Sequence, residues 1–389
     1  MIGVSKNVTY LIGSPLSVRD YNRYGVGEWI HRGWNVRVFD LTKIINKNFW
    51  DHVNGNNPTQ DFSFLTVFET AEDAINEIKK IQTNSVFIDL LGEKIFERKC
   101  SALAKQKGKT IKLNLGCIPS QPHNIFEKIQ RGLWHPEVLF QFLVRKLFGY
   151  KRLHPDYIVV GGLNSEQQIK PFRSKLIKAH NLDFDFILND ANSKDLSNNH
   201  ILFLDEDACY HSDYINLGIT PCATPKNYFP TMNKGLSKIG AAFNSEVIVA
   251  AHPSSDYKKR PNSFKFPVIK GHTYNLIKDA KLIVAHGSTS LQLAVLLRKP
   301  ILLVTTNELE KSFSAGTYAA FRSALKKPLI NFDNLAIDQD LVSCSYVYNE
   351  IYNAYIENYI KQKNTPMKTV WEIVVDELVN DLKHELGSI

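Results

Sequence analysis

The fold class of this chain is decided by residues 284–304, VAHGSTSLQLAVLLRKPILLV. The apolar residues at both ends predict two buried strands, and between them a polar turn leads into a short helix. The turn, His286 to Ser290, places hydroxyl groups and unpaired backbone N–H groups at the start of that helix. Because the helix dipole favours an anion at this end, the turn suits a phosphate. Strand, helix and strand in this order predict a parallel α/β sheet.

A second strand of the same form lies upstream, at residues 247–255, VIVAAHPSS. It is predicted to end in a turn that starts with His252 and Pro253. The carboxyl ends of strands in a parallel sheet are where α/β proteins bind ligands. We therefore predict that His252 donates to a phosphate oxygen or a leaving group. The alternative is a histidine that only ends the strand, since His-Pro also occurs at 135–136 and 154–155.

A run of three acidic residues follows a third predicted strand, at residues 203–213, FLDEDACYHSD. Because neighbouring carboxylates repel each other, the pKa of one is expected to rise, which separates acid, base and nucleophile roles. Asp205 and Glu206 are the predicted catalytic pair. Two alternatives stay open: carboxylate oxygens also bind Mg²⁺, and negative charge also stabilises the start of a helix.

Strand and helix patterns alternate along the whole chain, which predicts two Rossmann-like domains with parallel sheets. A polar segment at 192–199 is the predicted linker. The expected domains are residues 1–192 on the acceptor side, residues 200–365 for nucleotide-sugar binding, and a helix at 366–389 that docks on the body. Thr365 suits the N-cap of that helix and Pro366 its first position.

Composition favours a globular protein with an anionic partner. The 389 residues include 47 Lys and Arg against 39 Asp and Glu, a net charge of +8. Apolar residues make up 44% and charged residues 22%, which is ordinary for a globular chain. The positive balance favours a nucleotide-sugar, an anionic glycan or a membrane surface, and the alternative is a basic surface without a role. A nucleic acid is not expected, because no nucleic-acid-binding motif accompanies the charge.

The five cysteines form no C-x-x-C pair, so neither a zinc site nor a disulfide framework is expected. No signal peptide and no membrane span are predicted, which favours a cytoplasmic protein. The segment 126–152 combines aromatic and basic residues. Such a segment suits peripheral contact with the inner membrane face; the alternative is a helix buried on one face.

The order of acidic pair, His-Pro and serine-rich turn resembles the motif order of bacterial sialyltransferases. The longer context is similar to the retaining β-Kdo transferases of capsule and O-antigen assembly. The segments that carry this resemblance are RDYNRY (19–24), KAHNLDFD (178–185), FLDE (203–206), AAHP (250–253), VIKGHT (268–273) and HGSTS (286–290). One departure is Asp207, which stands where the sialyltransferase form has glycine.

The resemblance implies the α/β GT-B fold, in which two Rossmann-like domains face an interdomain cleft. It implies transfer of Kdo or a related ulosonic acid from a CMP-sugar to a surface glycan or glycolipid, without a cofactor or a metal site. The implied catalytic residues are Asp205, Glu206 and His252. The residues expected to bind the donor are Pro253, Ser254, Lys270, His286, Ser288, Thr289 and Ser290. Those expected on the acceptor side are Arg19, Asp20, Arg23 and His180.

Several alternatives remain open from the sequence. Lys270 also fits an ordinary strand-to-helix turn, Arg19 and Arg23 also fit a solvated helix start, and Gln292 is expected on a helix surface. The carboxylate would act as a nucleophile in a retaining enzyme or as a base in an inverting one. A UDP-sugar transferase or epimerase on the same scaffold is the second functional hypothesis. A scaffolding or glycan-binding subunit of polysaccharide assembly is the third.

Overall fold

The structure is a computed structural model. It describes residues 6–56, 62–120, 154–169, 174–190, 199–217, 219–260, 262–335 and 341–387. Two predictions fall outside these ranges: the aromatic and basic segment at 126–152, and the linker at 192–199 apart from its last residue.

The first sheet has seven parallel strands, in the order β3-β2-β1-β4-β5-β6-β7. The central strand β1 pairs in register with both neighbours, so that Val8 lies opposite Val36 on one side and Val86 on the other. The strands are β1 Asn7–Ile12, β2 Asn35–Asp40, β3 Leu65–Val67, β4 Ser85–Asp89, β5 Gly108–Asn114, β6 Tyr157–Val160 and β7 Lys175–Lys178.

The second sheet has six parallel strands, in the order β10-β9-β8-β11-β12-β13. Its strands are β8 His200–Leu204, β9 Glu246–Ala251, β10 Val268–Lys270, β11 Ala280–Ala285, β12 Ile301–Thr305 and β13 Leu329–Asn331. The strand order reverses between β1 and β4 in the first sheet and between β8 and β11 in the second. Parallel α/β sheets bind ligands outside such reversal points. The predicted pair of Rossmann-like sheets is confirmed.

Helices cover both faces of each sheet, which explains why central strands such as β4 and β12 are buried along their whole length. The helices are α1 Val18–Arg23, α2 Val26–His31, α3 Thr42–Ile45, α4 Lys47–Asn56, α5 Ala71–Lys80, α6 Ile95–Lys107, α7 Leu163–Gln167, α8 Phe184–Asn189, α9 Asp213–Leu217, α10 Pro225–Ala242, α11 Thr273–Asp279, α12 Leu291–Leu296, α13 Asn307–Lys311, α14 Ala315–Leu325, α15 Leu341–Cys344, α16 Asn349–Tyr355 and α17 Val370–Gly387. A 3₁₀ turn spans Phe332–Asn334 and a π-helical turn Ile356–Ile360. No described helix is long and apolar enough to cross a bilayer.

The final helix α17 packs into the core of the first sheet. Trp371 lies in the same cluster as Tyr10 and Trp29, and its indole N–H donates to the Arg23 carbonyl at 2.9 Å. Gly25 has a left-handed φ of 60°, and a Cβ there would lie 2.1 Å from the Trp371 ring. A glycine at this position therefore satisfies both the backbone and the packing of the helix.

The helix α17 begins later than the sequence indicates. Its first residue is Val370 rather than Pro366. The Thr365 hydroxyl donates to the Gln362 carbonyl, so it does not cap the helix. Thr369 and Glu372 cap it instead, because the Thr369 N–H and hydroxyl both donate to the Glu372 carboxylate.

Candidate functional site

The two predicted catalytic carboxylates follow β8, beside the reversal point of the second sheet. Asp205 is 4% exposed. Its Oδ2 accepts from the Tyr257 hydroxyl at 2.8 Å, and its Oδ1 accepts from the Asp207 N–H at 3.1 Å. Burial raises the pKa of Asp205 to about 7. The carboxyl group is thus held by donors at both oxygens and is easily protonated near neutral pH.

Glu206 connects β8 to the turn that follows β11. Its Oε1 accepts from the Gly287 N–H at 2.6 Å, and burial raises its pKa to about 7. A Cβ on Gly287 would lie 2.8 Å from the Tyr318 ring, so a glycine lets the turn approach the carboxylate. Unlike Asp205, Glu206 is only partly buried. The Gly287 N–H, one of the backbone donors predicted to bind a phosphate, therefore donates to a carboxylate in this structure.

The third acid of the run, Asp207, has a structural partner. Its Oδ1 lies 2.9 Å from the Arg260 guanidinium, and its φ of 49° is left-handed. Arg260 also lies over the Tyr210 ring, 4.1 Å from the centroid. Asp207 is buried, and this ion pair compensates its charge.

His252 follows β9 and touches a second histidine that the sequence analysis missed. The two Nε2 atoms of His252 and His211 are 3.3 Å apart. His211 Nδ1 accepts from the Asp213 N–H at 3.1 Å. His252 Nδ1 lies 2.8 Å from the Ser254 hydroxyl and accepts from the Ser254 N–H at 3.3 Å. The only sequence signal for His211 was its place in the loop after the acidic run.

The pKa of His252 is lowered to about 3, first by burial and then by the positive charges of His211, Arg19 and Lys270. His252 is therefore a neutral imidazole at pH 7. Arg19 belongs to the first domain, so its effect on His252 means that the two domains face each other here. An anion bound in this cleft would meet positive charge from both sides.

The remaining predicted donor-binding residues surround the same edge of the second sheet. Lys270 donates to the Ser255 carbonyl at 2.8 Å, and burial lowers its pKa. Thr289 is exposed, and Ser288 and Ser290 are partly buried. Pro253 is exposed and Ser254 is partly buried. Their hydroxyl groups and the Lys270 ammonium group lie at the carboxyl ends of β9, β10 and β11.

His286 lies in the core rather than at the surface of the turn. It is fully buried, its Nε2 lies 2.9 Å from the Tyr228 hydroxyl, and its Nδ1 lies 2.7 Å from the Val304 carbonyl. Burial lowers its pKa to about 4. Both ring nitrogens thus have partners inside the protein, and His286 ties β11 to β12 instead of contacting a ligand as predicted.

On the first domain, Arg19 and Arg23 are exposed on α1, and their acceptor-side role stays a prediction. Asp20 is a capping residue: its Oδ2 accepts from the Ser17 hydroxyl at 2.6 Å, and its N–H donates back to that hydroxyl. Burial raises the pKa of the nearby Asp183 carboxyl, while Arg23 and Arg19 oppose that rise. The structure thus keeps the two arginines at the surface and uses Asp20 to start the helix.

His180 is also buried rather than on an acceptor surface. Its Nδ1 lies 2.8 Å from the Asn181 carbonyl, and its Nε2 lies 2.8 Å from the Lys368 carbonyl. Asp185 Oδ1 is 3.7 Å away. These contacts anchor the segment that leads into α17. The predicted acceptor contact of His180 is not compatible with this placement, because the ring has no exposed surface.

Gln292 joins the two domains instead of lying on a helix surface. It is buried, its Nε2 donates to the Cys117 carbonyl at 2.9 Å, and its Oε1 accepts from the Asn181 side chain. The helix α12 starts beside the turn at His286 to Ser290, which was predicted to bind a phosphate. These hydrogen bonds therefore fix α12 to the first domain.

Among the described residues, no group of three or more His, Cys, Asp or Glu side chains is arranged to hold a metal ion.

Comparisons with known proteins identify the fold. No protein-family model matches the chain, and no curated protein does either. A variant of the wall teichoic acid polymerase TagF matches with a TM-score of 0.54 at 12% identity, over 99% of this chain and 91% of that one. The same polymerase soaked with CDPG matches with a TM-score of 0.54 at 13% identity, over 99% and 91%. A provisionally assigned UDP-N-acetylglucosamine 2-epimerase from Listeria monocytogenes matches with a TM-score of 0.50 at 11% identity, over 99% and 98%.

The chain has the GT-B fold. At these identities the likeness shows the fold alone, and it agrees with the two parallel sheets described above. The GT-B architecture explains why the carboxyl end of the second sheet faces residues of the first domain.

Proposed function

We propose that this GT-B protein is a glycosyltransferase that moves Kdo or a related ulosonic acid from a CMP-sugar to a surface-glycan or glycolipid acceptor. The observation that carries the proposal is the pair Asp205 and Glu206. Both carboxyls have a pKa raised to about 7 and follow β8 at the reversal point of the sheet. Two carboxyls with this placement and acidity suit the acid, base and nucleophile roles of glycosyl transfer.

Within the pair, the geometry favours Glu206 as the carboxylate that meets the sugar. Asp205 is nearly fully buried and accepts from Tyr257 and Asp207. Glu206 is more exposed and has one oxygen fixed by the Gly287 N–H. In this proposal Asp205 is the positioning residue. It holds the loop and the end of β9 so that Glu206 and His252 converge on one donor.

The proposed transfer has two displacement steps. A Glu206 oxygen attacks the anomeric carbon while the bond to the phosphate oxygen breaks, and CMP leaves with that electron pair. The acceptor hydroxyl then displaces the carboxylate, and its proton passes to a base in the site. Lys270 and the hydroxyls of Ser288 and Thr289 stabilise the leaving phosphate, since donors aimed at developing charge lower the barrier.

The choice of CMP rests on the resemblance in motif order, and nucleotide binding tests it directly. We expect CMP to raise the melting temperature more than UDP or GDP at equal concentration. Equal or greater stabilisation by UDP would favour the UDP-sugar transferase or epimerase. A matched titration of Lys270→Met, which removes one donor near the predicted phosphate, should weaken the response to CMP.

Transfer itself is tested by incubating the protein with several CMP-sugars and a glycan acceptor. We expect release of CMP from CMP-Kdo and, without acceptor, a sugar adduct on the intact protein by mass spectrometry. The adduct should disappear in Glu206→Gln. Absence of turnover with every CMP-sugar and UDP-sugar would favour a non-enzymatic, glycan-binding subunit.

A further inference from the structure

A basic groove lies on the second domain beside the acidic run. It has a volume of about 850 Å³ and lies between α10 and the chain that follows β9. Its wall is held firmly, because the Asn233 side chain donates to the Ser263 carbonyl at 3.0 Å and accepts from the Lys265 N–H at 2.9 Å. The residues that the argument uses are Tyr210, Lys226, Phe229, Lys234, Arg260 and Lys265.

The groove carries positive charge without carboxylates in its lining. Lys226, Lys234 and Lys265 are exposed along it. Two acids contact the same helix at the border of the groove without lining it: Glu308 accepts from Asn227 and Asp333 accepts from Thr231. Cations clustered in a concave surface concentrate a negatively charged ligand.

One end of the groove is aromatic and adjoins the proposed site. Tyr210 is 42% exposed, and Arg260 lies over its ring while binding Asp207. Asp207 in turn donates its N–H to Asp205. Phe229 also lines the groove. Aromatic faces pack against the apolar faces of sugar rings, so this end offers a stacking surface next to the carboxylates.

We propose that this groove binds an anionic glycan, the part of the acceptor chain that lies several sugars away from the transfer site. The proposal rests on the proposed function for the identity of the ligand, but the groove is argued from its own residues. The lysines would pair with carboxylate or phosphate groups of the glycan, and Tyr210 would stack on a sugar ring. A glycan is favoured over other polyanions because the aromatic end of the groove belongs to the loop that carries the carboxylate pair: Arg260 lies over Tyr210 and binds Asp207, which follows Glu206.

The test measures binding rather than transfer. Polysialic acid of defined length serves as the probe, and its affinity is measured by calorimetry at two salt concentrations. We expect the double variant Lys234→Glu/Lys265→Glu to lose at least tenfold in affinity, about 1.4 kcal/mol. The control is Arg322→Glu/Lys326→Glu, which makes the same charge change in another basic cavity and should retain nearly the full affinity.

Each outcome decides for or against the groove. Equal losses in both double variants would mean a diffuse charge effect and would overturn the proposal, as would a single-stranded DNA of equal charge or an anionic vesicle that binds more tightly. Tyr210→Ala gives an independent readout, because its loss of affinity should persist at high salt. Glycan binding in the groove without turnover would contradict the proposed function alone, whereas turnover without such binding would contradict the groove alone.

Discussion

The carboxyl edges of the two sheets share one topology and differ in chemistry. Both sheets reverse their strand order beside the first strand of the domain. The second edge presents Asp205 and Glu206. The first edge presents Arg19 and Arg23 on α1. The topology places both edges at the same cleft, and the residues in the loops give one edge proton-transfer groups and the other positive charge.

The carboxylates of the two edges differ further in how they are compensated. Asp89, which ends β4, accepts from the Leu91 N–H and lies 3.4 Å from Lys112. Asp205 and Glu206 accept from neutral donors, and burial raises the pKa of each to about 7. A lysine compensates the charge of the buried Asp89, whereas burial without a cation in contact raises the pKa of Asp205 and Glu206 and, to about 6, that of Asp40 at the end of β2.

The largest effect is expected from removing the charge of Glu206. Glu206→Gln should lower transfer at least about 100-fold, because a general base or nucleophile contributes on this order. CMP binding, measured by calorimetry, should stay within a few fold. Glu77→Gln, which removes an acid paired with Lys80 on α5 of the first domain, is the control and should keep its activity.

A matched variant on the neighbouring carboxylate separates the two roles. Asp205→Asn keeps a side chain that can accept from Tyr257, so a positioning role predicts a smaller loss than in Glu206→Gln. Full activity in Glu206→Gln together with abolished transfer in Asp205→Asn would reverse the assignment. Equal and complete losses in both variants would leave no positioning residue in the pair and would contradict the division of roles.

An intermediate effect is expected in the pH dependence of stability. The folded protein keeps the Asp205 proton up to about pH 7, whereas the ordinary value is 3.8. Between these values the unfolded chain loses its proton while the folded one retains it, so stability falls as pH rises. Relative to Asp205→Asn, the wild type should lose about 4 kcal/mol between pH 4 and pH 8.

Urea unfolding of both proteins at several pH values measures this difference. Taking the difference between the two proteins cancels the contribution of other buried carboxyls to the pH dependence of stability. One of these is Asp40, whose pKa is raised to about 6. Parallel stability curves would show that Asp205 is ionised in the folded state at acidic pH.

The sequence predicted what depends on local patterns and missed what depends on contacts between distant residues. Apolar runs that end in polar turns predicted both sheets and the position of Asp205 and Glu206, because strands buried on both faces need such runs. The hydrogen bond from Gly287 to Glu206 joins residues far apart in sequence. No local pattern in the sequence indicates that the Gly287 N–H donates to the Glu206 carboxylate.

Histidines show the same limit. His286 follows a buried strand just as His252 does, yet only His252 reaches the cleft. The difference is Tyr228 on α10, which provides a hydrogen-bond partner for His286 inside the core. His211 escaped notice because its role depends on the ring of His252 across the loop. For each histidine, a side chain distant in the sequence decides whether the ring lies in the core or at the cleft. The sequence alone does not identify that partner.

The smallest expected effect tests whether the two edges act on each other. Arg19 lowers the pKa of His252 across the cleft, so Arg19→Met should raise that pKa by a few tenths of a unit, the size expected for a screened charge. The measurement is an NMR titration of the His252 imidazole, with Arg37→Met on β2 as a control of equal charge. A shift in Arg19→Met alone means that the charge of the first edge acts on His252 across the cleft. Equal shifts in both variants would mean that only the net charge matters, and the first edge would then have no specific part in the chemistry of the second.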